Sequence, residues 1–156
     1  MFFKAIENIA LASLGVHEGG PALATQIKHY RASMDPEQWV EKFRSALKSH
    51  DLVEYAVINH KEDMAMRGVR NPPWAYTLIF GNPPVGATYL AVAITAVADM
   101  PVRLGVYGDE TQTTVVYRTM MSLLGEHDEC LRDAGNHVDE MVENLCQESA
   151  AYFVVR

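Results

Sequence analysis

Ala75-Tyr76-Thr77-Leu78-Ile79-Phe80-Gly81-Asn82-Pro83-Pro84-Val85-Gly86-Ala87-Thr88-Tyr89 is the stretch on which the fold turns. Tyr76 to Phe80 are β-branched, aromatic or aliphatic with no polar alternation, as expected of a central strand covered on both faces. Gly81-Asn82-Pro83-Pro84 then stops it. Neither proline donates to a sheet, and Asn82 is pushed to an extended conformation by the proline after it. The stretch reads as a buried strand running into a rigid elbow, with Gly81 expected in a backbone conformation that a side chain resists.

Upstream, Asp35-Pro36-Glu37-Gln38 carries an N-cap, a proline at the first helical position and an amide three residues after the cap. The helix it opens buries Trp39, Val40, Phe43, Ala46 and Leu47. Residues 24–33 read as a strand before it. Residues 52–58 read as a strand after it, buried on both faces except at Glu54, and a short helix follows over 60–67. Downstream, Tyr89, Leu90, Ala93, Ile94 and Val97 keep helical spacing until Asp99-Met100-Pro101. Strands over 102–107 and 113–117 join in a hairpin around Gly108-Asp109-Glu110. The core order is strand, helix, strand, helix, strand, helix, strand, strand. From Arg118 the chain reads as helical, with a break near Gly125 and a long final helix over 126–150. At the other end, Phe2, Phe3, Ile6, Ile9, Ala10 and Leu14 share one helical stripe, followed by a glycine- and proline-containing linker over 15–21. One domain is expected: an N-terminal appendage and linker (1–20), an α+β core (24–125) and a C-terminal helix (126–150).

A chain of 156 residues can bury a core without disulfides. Its net charge of −7, with no cluster of Lys or Arg, makes phosphate-backbone binding repulsive, so nucleic acid is excluded as a partner. No run of about eighteen apolar residues is present to span a membrane. The N-terminus lacks the basic start of a signal peptide, and Glu7 and Asn8 interrupt its apolar run. Cys130 and Cys146 fall on what reads as one helix, about 24 Å apart at 1.5 Å per residue, too far to pair. Free thiols fit a reducing, cytoplasmic location.

The element order, with Ile58-Asn59-His60, Leu78-Ile79-Phe80-Gly81-Asn82-Pro83, Gly86-Ala87-Thr88 and Ala98-Asp99-Met100-Pro101-Val102-Arg103-Leu104, resembles the domain-of-unknown-function 302 family. The resemblance covers residues 24–125. It implies a two-layer α+β fold with helices packed on one mixed β-sheet, a dimer, and no assigned activity. The N-terminal appendage and Pro84 look like decorations on that pattern.

Candidate sites are few. Leu131, Ala134, Val138, Met141 and Leu145 form an a/d seam on the final helix, which asks for a partner helix and hence a homodimer. Beside it, His127, Cys130, His137 and Met141 step by three, seven and four, a stripe of soft donors suited to a transition metal or haem iron. An ordinary apolar seam flanked by two histidines explains the same pattern. His60, near Glu62 and Asp63, is the acid–base candidate. Tyr55 and Tyr107 join it as ligand-binding candidates if their strand faces agree. Gly81 and Asn82 are the elbow's candidates, although Pro83 and Pro84 remove two donors that a phosphate cradle needs. With no G-x-S-x-G and no H-E-x-x-H, an enzyme has no positive support. The expected function is a non-catalytic, homo-oligomeric binding or sensing module for a small apolar ligand, haem or a soft metal. The alternatives are an enzyme built on His60 and a purely structural assembly protein.

Overall fold

A short polar side chain followed by proline opens two of the helices. Asp35 is extended and its carboxylate accepts from the Gln38 N–H at 2.9 Å, with Pro36 first in the helix. Asn82 is likewise extended and accepts from the Val85 N–H at 3.4 Å, with Pro83 first. The computed structural model describes residues 26–155. They form β1 (Ile27–Ala32), α1 (Pro36–Ser49), β2 (Val53–Asn59), α2 (His60–Met66), β3 (Trp74–Gly81) and α3 (Pro83–Val92). A 3-10 turn (Ile94–Ala98), β4 (Val102–Gly108), β5 (Thr113–Arg118) and α4 (Met120–His127) come next. A second 3-10 turn (Glu129–Leu131), α5 (Arg132–Glu148) and β6 (Tyr152–Phe153) end the described chain. The helix expected over 2–14 and its linker lie outside the described residues.

The sheet order is β2-β3-β4-β5-β1-β6, and every pairing is antiparallel. The α+β architecture is as expected, but the sheet is not mixed. β2 and β3 run in opposite directions, with Val53 opposite Gly81 and Asn59 opposite Tyr76, and β4 and β5 are joined as an antiparallel hairpin, so no parallel pair is formed.

α1 lies across β2, β3, β4 and β5 and against α5. Alternate residues of the inner strands face this layer: Tyr76, Leu78 and Phe80 from β3, Leu104 and Val106 from β4, Val115 and Tyr117 from β5. Trp39 stacks on Phe43 with ring centroids 5.0 Å apart, and Phe43 meets Phe80 edge-on at 5.3 Å. With one helical layer, β3 is covered fully on one face only, and Thr77 and Ile79 are half-buried. β2 is an edge strand whose Val53, Glu54 and Tyr55 are exposed, not a strand buried on both faces.

The C-terminal helix is not continuous either. Asp128 is extended, and its carboxylate accepts from the Cys130 N–H at 2.8 Å, the geometry of a cap. The chain therefore ends α4, makes a 3-10 turn and starts α5, which folds back along α4. Gly135 makes that packing close: a Cβ there would fall 2.6 Å from the Met120 carbonyl oxygen and the Met121 backbone.

Candidate functional site: an apolar cavity under a charge-free arm

Asn82-Pro83 starts a helix as soon as β3 ends, so α3 follows the strand directly. It stops at Ala93, which is extended, and the 3-10 turn brings the chain back through a cis Met100–Pro101 peptide to β4. Residues 83–98 contain no charged side chain. Between this arm and the α4–α5 pair is a cavity of about 610 Å³, within the several hundred Å³ usual for small-molecule sites.

Its walls come from elements far apart in the chain. Ile79 and Gly81 close it from β3, Val85 and Leu90 from α3, Pro101 and Val102 from the start of β4. Met120 of α4 and Val138 and Met141 of α5 form the opposite side. Polar groups are limited to Tyr55, Asn82 and Tyr89 and the exposed backbone. Burial raises the Tyr89 hydroxyl above its ordinary range, so it stays a neutral donor. Tyr55 reaches the site because β2 shifts register between Glu54 and Ala56, a bulge that re-aims its side chain. Gly86 lets Met100 lie against α3, since a Cβ there would be 2.7 Å from the Met100 methyl.

The cavity's far wall is fixed by a buried carboxylate. Asp139, 3% exposed, accepts from the backbone N–H of Met120 at 2.7 Å and of Met121 at 3.1 Å, and from the Tyr117 hydroxyl. Thr119, at the N-cap of α4, makes no side-chain cap bond, so Asp139 supplies that cap from another helix. Burial and the Asp139 charge push the Tyr117 hydroxyl well above its ordinary range.

A second polar chain clamps the arm. His127 Nε2 lies 2.8 Å from Asp99 Oδ2, and its Nδ1 lies 3.1 Å from Thr95 Oγ1. A carboxylate only accepts, so the proton sits on Nε2 in the neutral ring and Thr95 donates to Nδ1. Hydrolases use a similar hydroxyl, imidazole and carboxylate, together with N–H donors facing the oxyanion. Here the N–H after Thr95, on Ala96, is bonded to the Ala93 carbonyl at 3.0 Å inside the 3-10 turn. The chain's role is to tie that turn to the end of α4.

Of the residues singled out in the sequence, Tyr55, Gly81, Asn82 and Met141 line the cavity. His60 does not; it bonds Thr77 Oγ1 at 2.8 Å, while Glu62 interacts with Asn59 at the start of α2. Tyr107 is exposed on β4, away from the lining residues. The soft-donor stripe is dispersed: His127 ends α4, Cys130 is exposed in a 3-10 turn, and His137 is exposed on α5. Among the described residues no group of three or more His, Cys, Asp or Glu is placed to hold a metal ion. The a/d seam also turns inward, with Leu131 and Leu145 in the chain's own core and Val138 and Met141 on the cavity. Gly81 has no left-handed φ, and a Cβ on it would meet Pro101 and Tyr55 at 3.5 and 3.6 Å, ordinary contact distances. Its expected conformational constraint is absent.

Fold and cavity together define a two-layer α+β protein whose charge-free arm roofs an apolar site at one end of an antiparallel sheet. The family described as Domain of unknown function DUF302 matches residues 28–149, and the chain belongs to it. That span continues through α5, past the residue 125 expected from the sequence. Among solved structures, the crystal structure of uncharacterized conserved protein DUF302 from Bacillus stearothermophilus is similar, with a TM-score of 0.69 and 18% identity. The match covers 78% of this chain and 97% of that one. At that identity the likeness carries the fold alone. No curated protein matches the chain. No helix among the described residues is long and apolar enough to cross a membrane.

Proposed function

We propose that this chain is a binding module that takes a small, uncharged, apolar molecule in the cavity between the arm and the α4–α5 pair. The observation that carries the reading is the cavity itself, about 610 Å³ walled by aliphatic and methionine side chains. Methionines at 100, 120 and 141 contribute adaptable, polarizable surface from the loop before β4, from α4 and from α5. The hydroxyls of Tyr55 and Tyr89 and the Asn82 backbone orient one polar end of the guest. Haem or a soft metal held by side chains loses its support, because His127, Cys130 and His137 do not line the cavity and no metal-holding group is found among the described residues. A dimer through the last helix loses its support likewise, because that seam is used within the chain.

Titration with N-phenyl-1-naphthylamine, an uncharged apolar fluorophore, tests the reading. Wild type should bind one equivalent with a dissociation constant in the micromolar range or tighter, about −8 kcal/mol. Val138→Trp, which fills the cavity from α5, should weaken binding at least about tenfold with the fold retained by circular dichroism. Equal affinity of the two proteins places the probe elsewhere and overturns the reading.

A further inference from the structure

The start of α3 lines the cavity, and a helix start ordinarily presents free N–H groups to an anion. Here those groups are missing or already used. Pro83 and Pro84 have none, the Val85 N–H is capped by Asn82 Oδ1 at 3.4 Å, and the Gly86 N–H is bonded to the Asn82 carbonyl at 2.9 Å. Among the described residues no Lys, Arg or His lines the cavity. Asp139, bonded to the Met120 N–H of the opposite wall at 2.7 Å, adds a negative charge. A carboxylate or phosphate brought here would lose its water and gain no partner. Two hydroxyls, by contrast, are available. Neither Tyr55 nor Tyr89 has a hydrogen-bond partner among the described residues. Their settings differ: Tyr55 is 51% exposed, so water serves its hydroxyl, whereas Tyr89 is half-buried and desolvation raises its hydroxyl above the ordinary range. A desolvated hydroxyl without a partner costs free energy that an acceptor on the guest would recover.

We propose that the guest is a neutral molecule carrying a carbonyl oxygen of ketone, ester or amide type, that Tyr89 of α3 is the donor that selects it, and that carboxylates and phosphates are turned away. This rests on the ligand reading above and adds the chemistry of the guest's polar end. Tyr89 is a specificity-determining residue in this account: it does not hold the apolar body of the guest, which the aliphatic and methionine walls cover, but it separates a carbonyl from a hydrocarbon of the same shape. One neutral hydrogen bond of this kind is worth about three- to tenfold in affinity. The anion is refused more strongly, because burying an unpaired charge costs far more than one such bond returns.

Three guests of similar shape test the proposal: 2-acetylnaphthalene, 2-ethylnaphthalene and 2-naphthoate, titrated at neutral pH into the full-length chain and followed by NMR at the methyls of Met100, Met120 and Met141. In Tyr89→Phe, which keeps the ring and so its packing, the ketone should bind about three- to tenfold more weakly than in wild type, while the hydrocarbon stays within about twofold. Tyr55→Phe, at the exposed hydroxyl, should leave both within about twofold. The carboxylate should bind wild type at least about thirtyfold more weakly than the ketone. Equal losses for ketone and hydrocarbon in Tyr89→Phe, or no loss for either, overturn the role of Tyr89, as does a ketone loss found only in Tyr55→Phe. A smaller gap between ketone and carboxylate overturns the exclusion of anions. In each of these cases, saturable binding of the hydrocarbon at the same methyls leaves the apolar cavity standing as a site. No saturable shift with any of the three guests in wild type ends both readings together.

Discussion

Asp139 of α5 ties together α4 and β5. Its carboxylate caps a helix to which it does not belong and receives the Tyr117 hydroxyl, all in a buried setting. Asp139→Ala would leave the Met121 N–H and the Tyr117 hydroxyl without this acceptor and the Met120 N–H with only the Tyr117 oxygen at 3.2 Å, at about 1–3 kcal/mol for each group left unpaired, before relaxation. Urea unfolding should therefore show a loss of about 3–5 kcal/mol, whereas a loss under ~1 kcal/mol would mean that water reaches these groups. Tyr117 and Tyr30 add a pH dependence. Burial is the first cause that raises both hydroxyls, followed by the Asp139 charge for Tyr117 and the Cys146 and Glu143 charges for Tyr30. A raised folded value means that their contribution to stability is complete below the ordinary tyrosine value of 10.0. Above it the unfolded chain releases protons that the folded chain keeps, so stability falls. Urea midpoints should decline from about pH 10 upward, and Tyr117→Phe should make that decline shallower. None of this is legible in the sequence, because Tyr117 and Asp139 are joined only when α5 folds back along α4.

At the scale of elements, one signal has two readings depending on its neighbours. Asp35-Pro36 announces a helix start, whereas Asn82-Pro83, coming directly after a strand, reads in the sequence as a stop. Physically the two are alike: a short polar acceptor on an extended residue, then a ring that pre-sets φ for the first turn. Reading the second as a cap starts α3 at Pro83, six residues before the expected Tyr89, and turns a rigid elbow into the roof of a cavity. Asp128 explains the other break, since helical spacing continues through a residue whose side chain prefers to cap the next turn. The hairpin at Gly108 is plain because the motif is local: Asp109 bonds Thr111 and Gln112, and a Cβ at 108 would lie 1.9 Å from the Gln112 carbonyl oxygen. The end of α5 offers a test. Ala150 sits at φ 59, while the Ala151 N–H reaches the Cys146 carbonyl at 2.8 Å, a helix-closing arrangement that favours glycine. Ala150→Gly should raise stability by about 0.5–1 kcal/mol in thermal or urea unfolding, and a loss would show that the alanine methyl packs usefully.

For the whole molecule, the α+β core and most strand positions are legible from pattern, since burial of alternate residues is written along β4 and β5. The cavity is legible only as its hallmark, a long charge-free run whose helix has no solvent face. Its other walls come from residues far apart in the chain, and Tyr55 joins them through a bulge that no spacing rule announces. The most direct test of an apolar binding site uses the methionines as reporters. Eight are present in the chain, and Met100, Met120 and Met141 line the cavity while Met34, Met64 and Met66 do not. With ¹³C-methyl-methionine protein titrated with N-phenyl-1-naphthylamine, saturable NMR shifts are expected at Met100, Met120 and Met141 with Met34, Met64 and Met66 unmoved. Shifts confined to exposed Met66, or no saturable shift at the three cavity methyls, would rule out an apolar site in this cavity.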